Sequence, residues 1–190
     1  SAHLAIVDIV LGVADILPIR GFGYLVPRNA TNNSDEILGV IFDSDAVPNQ
    51  SQRLTKLTVM MGGPYWRHRS SFPNEDDVKE RALRALHSQL GLSLLTLTSH
   101  LENIYARVMT DTIPQYLVGH PQRMAELKAA IKMHPQWRNR LSLLGYSYGG
   151  VGVNDCIANA MDTCDAICNY EQNRSPLSDI SGLQPALFPG

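Results

Sequence analysis

Apolar residues recur at two different spacings along this chain, and each change of spacing predicts a change of element. From Leu54 to Met61, Leu57, Val59 and Met61 alternate with Thr58 and Met60, the period-two pattern of a strand with one covered face. Leu4 to Val10 and Ile37 to Phe42 read as two further strands, the latter closed by the turn residues Asp43, Ser44 and Asp45. Joined by polar loops such as Asn29 to Glu36, the three predict a meander with one face buried. The period then lengthens. From Pro73 to Leu90, Asn74 stands where a cap belongs, Glu75, Asp76 and Asp77 fill a first turn, and Val78, Ala82, Leu83, Leu86 and Leu90 form a stripe, with Gly91 ending the helix. Leu92 to Leu97 and Tyr105 to Met109 read as strands, and Pro121 to Met133 as a second helix with Met124, Leu127 and Ile131 inward.

The last patterned stretch is GYSYGGVGVNDCI, Gly145 to Ile157. Leu141 to Leu144 reads as a short buried strand ahead of Gly149, Gly150 and Gly152. Asn154 and Asp155 then supply N-cap side chains, and Cys156, Ile157, Ala160, Met161, Cys164, Ile167 and Cys168 follow at the spacing of one helical face. A strand, a glycine turn and a helix start aim backbone N–H groups at an anion, typically a phosphate. A tight packing corner without a ligand fits the same spacing, since the run is neither GxGxxG nor a P-loop.

Composition narrows the classes. A chain of 190 residues with 44% hydrophobic residues can build a core, and a net charge of −2 offers no field for nucleic acid or anionic lipid. No nucleic-acid partner is expected. The apolar run from Leu4 to Leu17 carries Asp8 and Asp15 and is too short to span a membrane. It begins at Ser1 without the basic start of a signal peptide, so the chain is expected to be a piece of something larger. Strands beginning at Leu4 would then lack their usual neighbours and present open edges. Cys156, Cys164 and Cys168 share one helix and read as small core residues, with no further ligand for a metal. The six histidines form no metal motif; His120, between the IPQY turn and a helix, is the one that invites attention. Ser147 is no nucleophile elbow, and no catalytic residue is identified. What remains offers backbone amides and apolar walls, suited to a reaction whose hard chemistry belongs to a bound cofactor.

Five stretches, in this order, resemble one family: GFGYLVPR from Gly21, ILGVIFDSDAVP from Ile37, LTVMMGG from Leu57, IPQYLVGHPQRM from Ile113, and GYSYGGVGVNDCI. They are similar to the protoporphyrinogen oxidase family of the flavin amine oxidases, over about Leu4 to Ile167, as its carboxyl-terminal half only. The resemblance implies an α+β/α/β fold: a mixed-sheet substrate domain over 1–135 and the carboxyl-terminal strand-turn-helix of an FAD-binding domain over 136–170; the tail over 171–190, rich in Pro, Ser and Gly from Ser175, is expected from composition to be disordered. It implies FAD as cofactor, protoporphyrinogen IX and molecular oxygen as reactants, a homodimer, and attachment to the mitochondrial inner membrane from the intermembrane-space side through sequence missing here. Gly150, Val151, Gly152 and Val153 match the stretch whose backbone lies against FAD, and Met109 stands near a flavin-facing aromatic of relatives. Phe22, Gly23, Leu25, Ile41 and Met60 match strand residues beside the tetrapyrrole. The GxGxxG turn of such a cofactor domain is not found in this sequence. The alternatives are another flavin amine oxidase-type oxidoreductase, or a non-catalytic remnant inactive by itself.

Overall fold

The structure is a computed structural model that describes residues 1–47, 53–138 and 140–173. The chain forms two compact units, Ser1–Thr112 and Ile113–Gly190.

The first unit is built on a five-stranded sheet of β1 (Ala2–Leu11), β2 (Gly23–Leu25), β3 (Ile37–Ile41), β4 (Thr55–Gly62) and β5 (Leu101–Ile113), in the order β2-β3-β4-β1-β5. The ladders β1/β4, β2/β3 and β3/β4 are antiparallel, and β1 pairs with β4 from Leu4 opposite Gly62 to Leu11 opposite Thr55. The three strands expected to form a meander are present as β1, β3 and β4, but β1 pairs with β4 and not with β3, so they do not form one. β1 lies inside the sheet, flanked by β4 and β5, so it presents no open edge. Alternation reports which face of a strand is covered and carries no information about which strand pairs with it.

Alternation in β4 sets the core: Leu57, Val59 and Met61 are buried with Ala5, Val7, Ile9 and Leu11 of β1 and Val40 of β3. That face is covered by α2 (Glu75–Leu90) through Val78, Ala82, Ala85 and Leu86, all fully buried. Asn74 and Asp77 exchange side-chain and backbone hydrogen bonds in a capping box, and Gly91 ends the helix. Tyr24 of β2 turns to the same face, where its hydroxyl donates to Gln89 at 2.8 Å and burial pushes its phenol pKa up to about 12.

A short helix, α1 (Asp43–Ala46), follows β3. Where a strand is expected at Leu92–Leu97, the chain instead forms the helix α3 (Leu94–Ser99), capped by the Ser93 hydroxyl on Thr96 N at 2.9 Å. Only Leu97 of that helix is buried, so the leucine run reflects one anchoring contact and not a strand's covered face.

The second unit holds α4 (His120–Met133) and α5 (Val153–Asn173). Ile131 of α4 is buried, with Met124 and Leu127 half-buried, as the stripe predicts. Leu141 to Leu144 forms no strand, since no other strand of this unit is described with which it could pair. Of the tail over 171–190, expected to be disordered, Glu171 to Asn173 instead complete α5 and the rest lies outside the described residues.

Glu36 ties the loop before β3 to the rest of the first unit. Its carboxylate accepts from buried Trp66 Nε1 and Arg81 Nη1, each at 2.9 Å, and pairs with Arg69. Its backbone sits at φ 60°, which its side-chain partners must hold in place. Glu36→Ala should cost about 2–4 kcal/mol in denaturant unfolding, because a buried indole N–H and a partly buried guanidinium lose their acceptor. Asp35→Ala, which breaks only a pair with a half-exposed Arg84, should change stability by less than about 1 kcal/mol. Equal costs for the two would refute the assignment.

Candidate functional site

The sheet's other face carries the residues that the resemblance assigns to the tetrapyrrole. Gly23 pairs with Ile41 across β2 and β3, and Leu25 pairs with Gly39, which pairs with Met60 of β4, which in turn pairs with Ile6 of β1. Since Val40, Val59 and Val7 form the covered row, Gly23, Leu25, Ile41 and Met60 share the opposite, open face. Leu25 is 79% exposed and Phe22, just before β2, 71% exposed, while Ile41 and Met60 are half-buried. A Cβ on Gly23 would stand 2.1 Å from the Val40 carbonyl oxygen, so only glycine lets β2 lie this close to β3. Gly39, which the sequence reading passed over, leaves room for Leu25: a Cβ there would meet Leu25 Cδ2 at 2.9 Å. On β5, Ala106 is buried and Ile104 and Val108 pack on the core, which sets Met109 on the alternate side of its strand.

The same open face carries a polar group that sequence reading missed. Thr58 of β4 pairs with Asp8 of β1, and its Oγ1 lies 2.9 Å from Asp8 Oδ1 and 2.8 Å from Asp43 Oδ2. One hydroxyl has one proton, so both contacts are hydrogen bonds only when a carboxyl is protonated and donates. Desolvation pushes the Asp43 pKa up, and the charge of Asp8 pushes it the same way against the hydrogen bond from Thr58. Asp45, two residues on, is held below the ordinary carboxylate range by the Gly21 N–H and by Arg20.

In the second unit the glycine turn is held by side chains from outside it. Tyr116 Oη donates to the Tyr146 carbonyl at 2.6 Å and accepts from Gly150 N at 2.9 Å. Its ring stacks on His120, with centroids 4.0 Å apart and an interplanar angle of 7°. From α5, Asn159 donates to the Gly149 carbonyl at 3.3 Å, and the Cys156 thiol lies 3.7 Å from the Gly150 carbonyl. Tyr116 sits in the IPQY turn and Asn159 interrupts the apolar stripe of a helix; neither carries a motif that would mark it from sequence.

The helix starts at Val153, one residue before the expected cap. Asp155 lies in its first turn and accepts from Gly152 N at 3.2 Å, and Asn154 is no cap. The apolar stripe is also misplaced. Ile157, Met161, Cys164, Ile167 and Cys168 are exposed, whereas Asn159 and Thr163 are buried, so Cys164 and Cys168 are not core residues and only Cys156 is partly covered. Spacing identifies a common face but not which face meets the protein, and here Asn159 and Thr163 are accepted inside because each finds a backbone partner.

These facts test which ligand the turn fits. Gly150 N is engaged by Tyr116, Gly152 N by Asp155, and a Cβ at Gly150 would meet Asp155 Cβ at 2.5 Å, so that space is filled by the protein. A carboxylate at the helix's amino end competes with phosphate. The amides of Val153 and Asn154 lack acceptors inside the helix, and exposed Val151 and Val153 flank them. Amide donors between apolar walls fit an uncharged ring bearing carbonyl acceptors, such as that of a flavin, better than a phosphate. Among the described residues no group of three or more His, Cys, Asp or Glu is arranged to hold a metal ion.

Relatives with the resemblance read from the five motifs exist. The chain is 35% identical over 178 residues to the protoporphyrinogen oxidase of Schizosaccharomyces pombe, covering 92% of this chain and 34% of that protein. It is 33% identical over 162 residues to the human protein of that name, covering 83% of this chain and 32% of the relative. The chain thus spans about a third of the length of the curated relatives it matches. A solved structure from Exiguobacterium sp. 255-15, provisionally named for the same enzyme, shares the fold with a TM-score of 0.68 at 23% identity, over 88% of this chain and 34% of that one. No family model matches.

Two outcomes follow from the geometry. Because the folded Asp43 pKa lies above its unfolded value of 3.8, its protonated form is favoured by folding; that stabilisation is present below 3.8 and is lost as pH rises through the folded value. Asp43→Asn, neutral at every pH, should therefore stabilise the chain at neutral pH and change it little below pH ~4 in thermal melts. A gain confined to acid pH would contradict the assignment. Gly150→Ala should destabilise the chain by about 1–3 kcal/mol and by more than Gly152→Ala, since Gly150 has φ 145° and little clearance, whereas a Cβ at Gly152 meets only the end of the Asp155 side chain. Chemical denaturation of the two variants decides the order.

Proposed function

We infer that this chain is about one third of a flavin-dependent protoporphyrinogen oxidase, whose reaction is the oxidation of protoporphyrinogen IX to protoporphyrin IX in haem biosynthesis. The observation that carries this reading is the strand register, which collects Gly23, Leu25, Ile41 and Met60 on one open sheet face, with Phe22 beside them. Relatives that share this sequence over most of its length carry the enzyme's name, and that supports the substrate assignment.

The chain's own residues wall and orient. A large apolar macrocycle needs covered area more than acids, and Phe22 and Leu25, the most exposed of the set, have the most surface to bury on binding. Ile41 and Met60 supply the floor, and Gly23 and Gly39 keep β2 and β3 close enough for the floor to be continuous. The backbone of Gly150 to Val153 would hold FAD. When bound, FAD supplies the oxidation, taking hydride equivalents from the porphyrinogen in successive turnovers and passing electrons to molecular oxygen, which leaves as hydrogen peroxide. Val151 and Val153 exclude water from the backbone they flank, and the amides of Val153 and Asn154 donate to an acceptor laid across the helix end.

The same resemblance supports a homodimer at the mitochondrial inner membrane, facing the intermembrane space. Among the described residues no helix is long and apolar enough to cross a membrane.

A chimera in which this chain replaces the matching segment of the Schizosaccharomyces pombe relative tests the reading. It should bind FAD and generate fluorescent porphyrin from protoporphyrinogen IX. Leu25→Asp and Met60→Asp in that chimera should each raise KM on the order of tenfold or more with bound FAD unchanged. A folded, flavin-loaded chimera with no turnover above autoxidation overturns the assignment; turnover of amines in its place points to another flavin amine oxidase-type reaction.

A further inference from the structure

We propose that Tyr116 is the positioning residue of the cofactor-facing turn, a role that rests on the reading of that turn as the flavin contact. Its single hydroxyl closes the turn by donating to the Tyr146 carbonyl at 2.6 Å and accepting from Gly150 N at 2.9 Å. These partners are 30 and 34 residues away in sequence, so the turn's path is set by a residue outside it. Local preference does not set that path. Gly150 occupies φ 145°, where no side chain stabilises the backbone, and no N-cap side chain precedes Val153. Other ties hold the flanks of Gly150: Tyr148 N donates to the Gly145 carbonyl at 3.0 Å, Gly152 N to Asp155 at 3.2 Å and Asn159 to the Gly149 carbonyl at 3.3 Å, while the Cys156 thiol stands 3.7 Å from the Gly150 carbonyl.

The ring of Tyr116 is itself fixed. His120 stacks on it almost parallel, at 4.0 Å, and the His120 amide donates to the Leu117 carbonyl at 2.9 Å, which binds the start of α4 to the IPQY turn. His120 Nε2 is buried with no hydrogen-bond partner among the described residues. The imidazole therefore serves Tyr116 through its face and not through that nitrogen. The chain of dependence runs from α4 through His120 to the Tyr116 ring, through the hydroxyl to Gly150, and from Gly150 to the Val151–Val153 backbone.

Four variants of the chimera, read by FAD affinity and by the visible absorption of bound flavin, test the assignment, with amide exchange at Gly150 measured in this 190-residue chain. Tyr116→Phe keeps the ring and removes the hydroxyl; it should raise the Kd for FAD about tenfold, shift the flavin absorption and speed Gly150 exchange. His120→Phe keeps the stack and should leave Kd within about twofold, whereas His120→Leu removes it and should weaken FAD by about threefold. If Tyr116→Phe leaves affinity and spectrum unchanged while Gly150→Val abolishes flavin binding, the positioning role is wrong and the turn's assignment stands. If Gly150→Val is also silent, flavin does not contact this turn and both fail. Should Tyr116→Phe not fold, unchanged flavin affinity in His120→Leu overturns the proposal by itself.

Discussion

The register of β1 against β4 is the constraint on which the first unit depends. Eight successive pairs, from Leu4 opposite Gly62 to Leu11 opposite Thr55, decide which side chains of both strands meet α2 and which stay on the other side. A slip of β1 by one residue against a fixed β4 would exchange its two sets: Val7 and Ile9 would leave the core, and Asp8 would enter it beneath Ala82 and Leu86. Desolvating the Asp8 carboxylate against alanine and leucine would cost far more than any alternative pairing could return. Burial on one face therefore fixes the apolar row on the other.

That second row is where structure and proposed chemistry meet. An antiparallel sheet commonly carries one dry and one wet face, and the outward positions of this one are not uniformly polar: Leu25, Gly39, Met60 and Ile6 stand in line across four strands, with Ile41 in the next row. They surround one polar cluster, Asp8, Thr58 and Asp43, in which two carboxylates share a hydroxyl. The core face explains stability without any of these residues, which is why the open face is free to be specified by a ligand.

In the second unit the corresponding constraint is a hydrogen-bond network and not a packed core. Tyr116, Asn159, Cys156 and Asp155 each reach the backbone of residues 149–152 or their flank, and together they hold a turn that its own glycines leave unspecified. The engaged amides also change its chemistry, from a cradle for phosphate to a short edge of backbone between two exposed valines. Asn159 on α5 is buried with its partner Gly149 in the turn, and Thr163 is buried with its hydroxyl on the Asn159 carbonyl of the same helix, while Ile157 and Met161 are exposed.

What could be read from sequence was local or motif-borne. The strands β1, β3 and β4, the helix α2 with its cap and stop, and the inward face of β4 follow from periodicity and from Asn74, Asp77 and Gly91, because those signals act within a few residues. The five motifs pointed to a family whose name is carried by relatives 33–35% identical to this chain. Pairing lay beyond reach: that β1 sits between β4 and β5, that Leu94–Ser99 is helical, and that Leu141–Leu144 joins no strand among the described residues depend on partners distant in the chain. The same limit hid Gly39, Thr58, Asp43 and Tyr116, whose roles exist only once the register and the turn bring in Leu25, Asp8 and Gly150. A side chain's type is written in the sequence, but its partner is chosen by the tertiary fold, because hydrogen bonds and buried contacts form across space between residues that no local period connects.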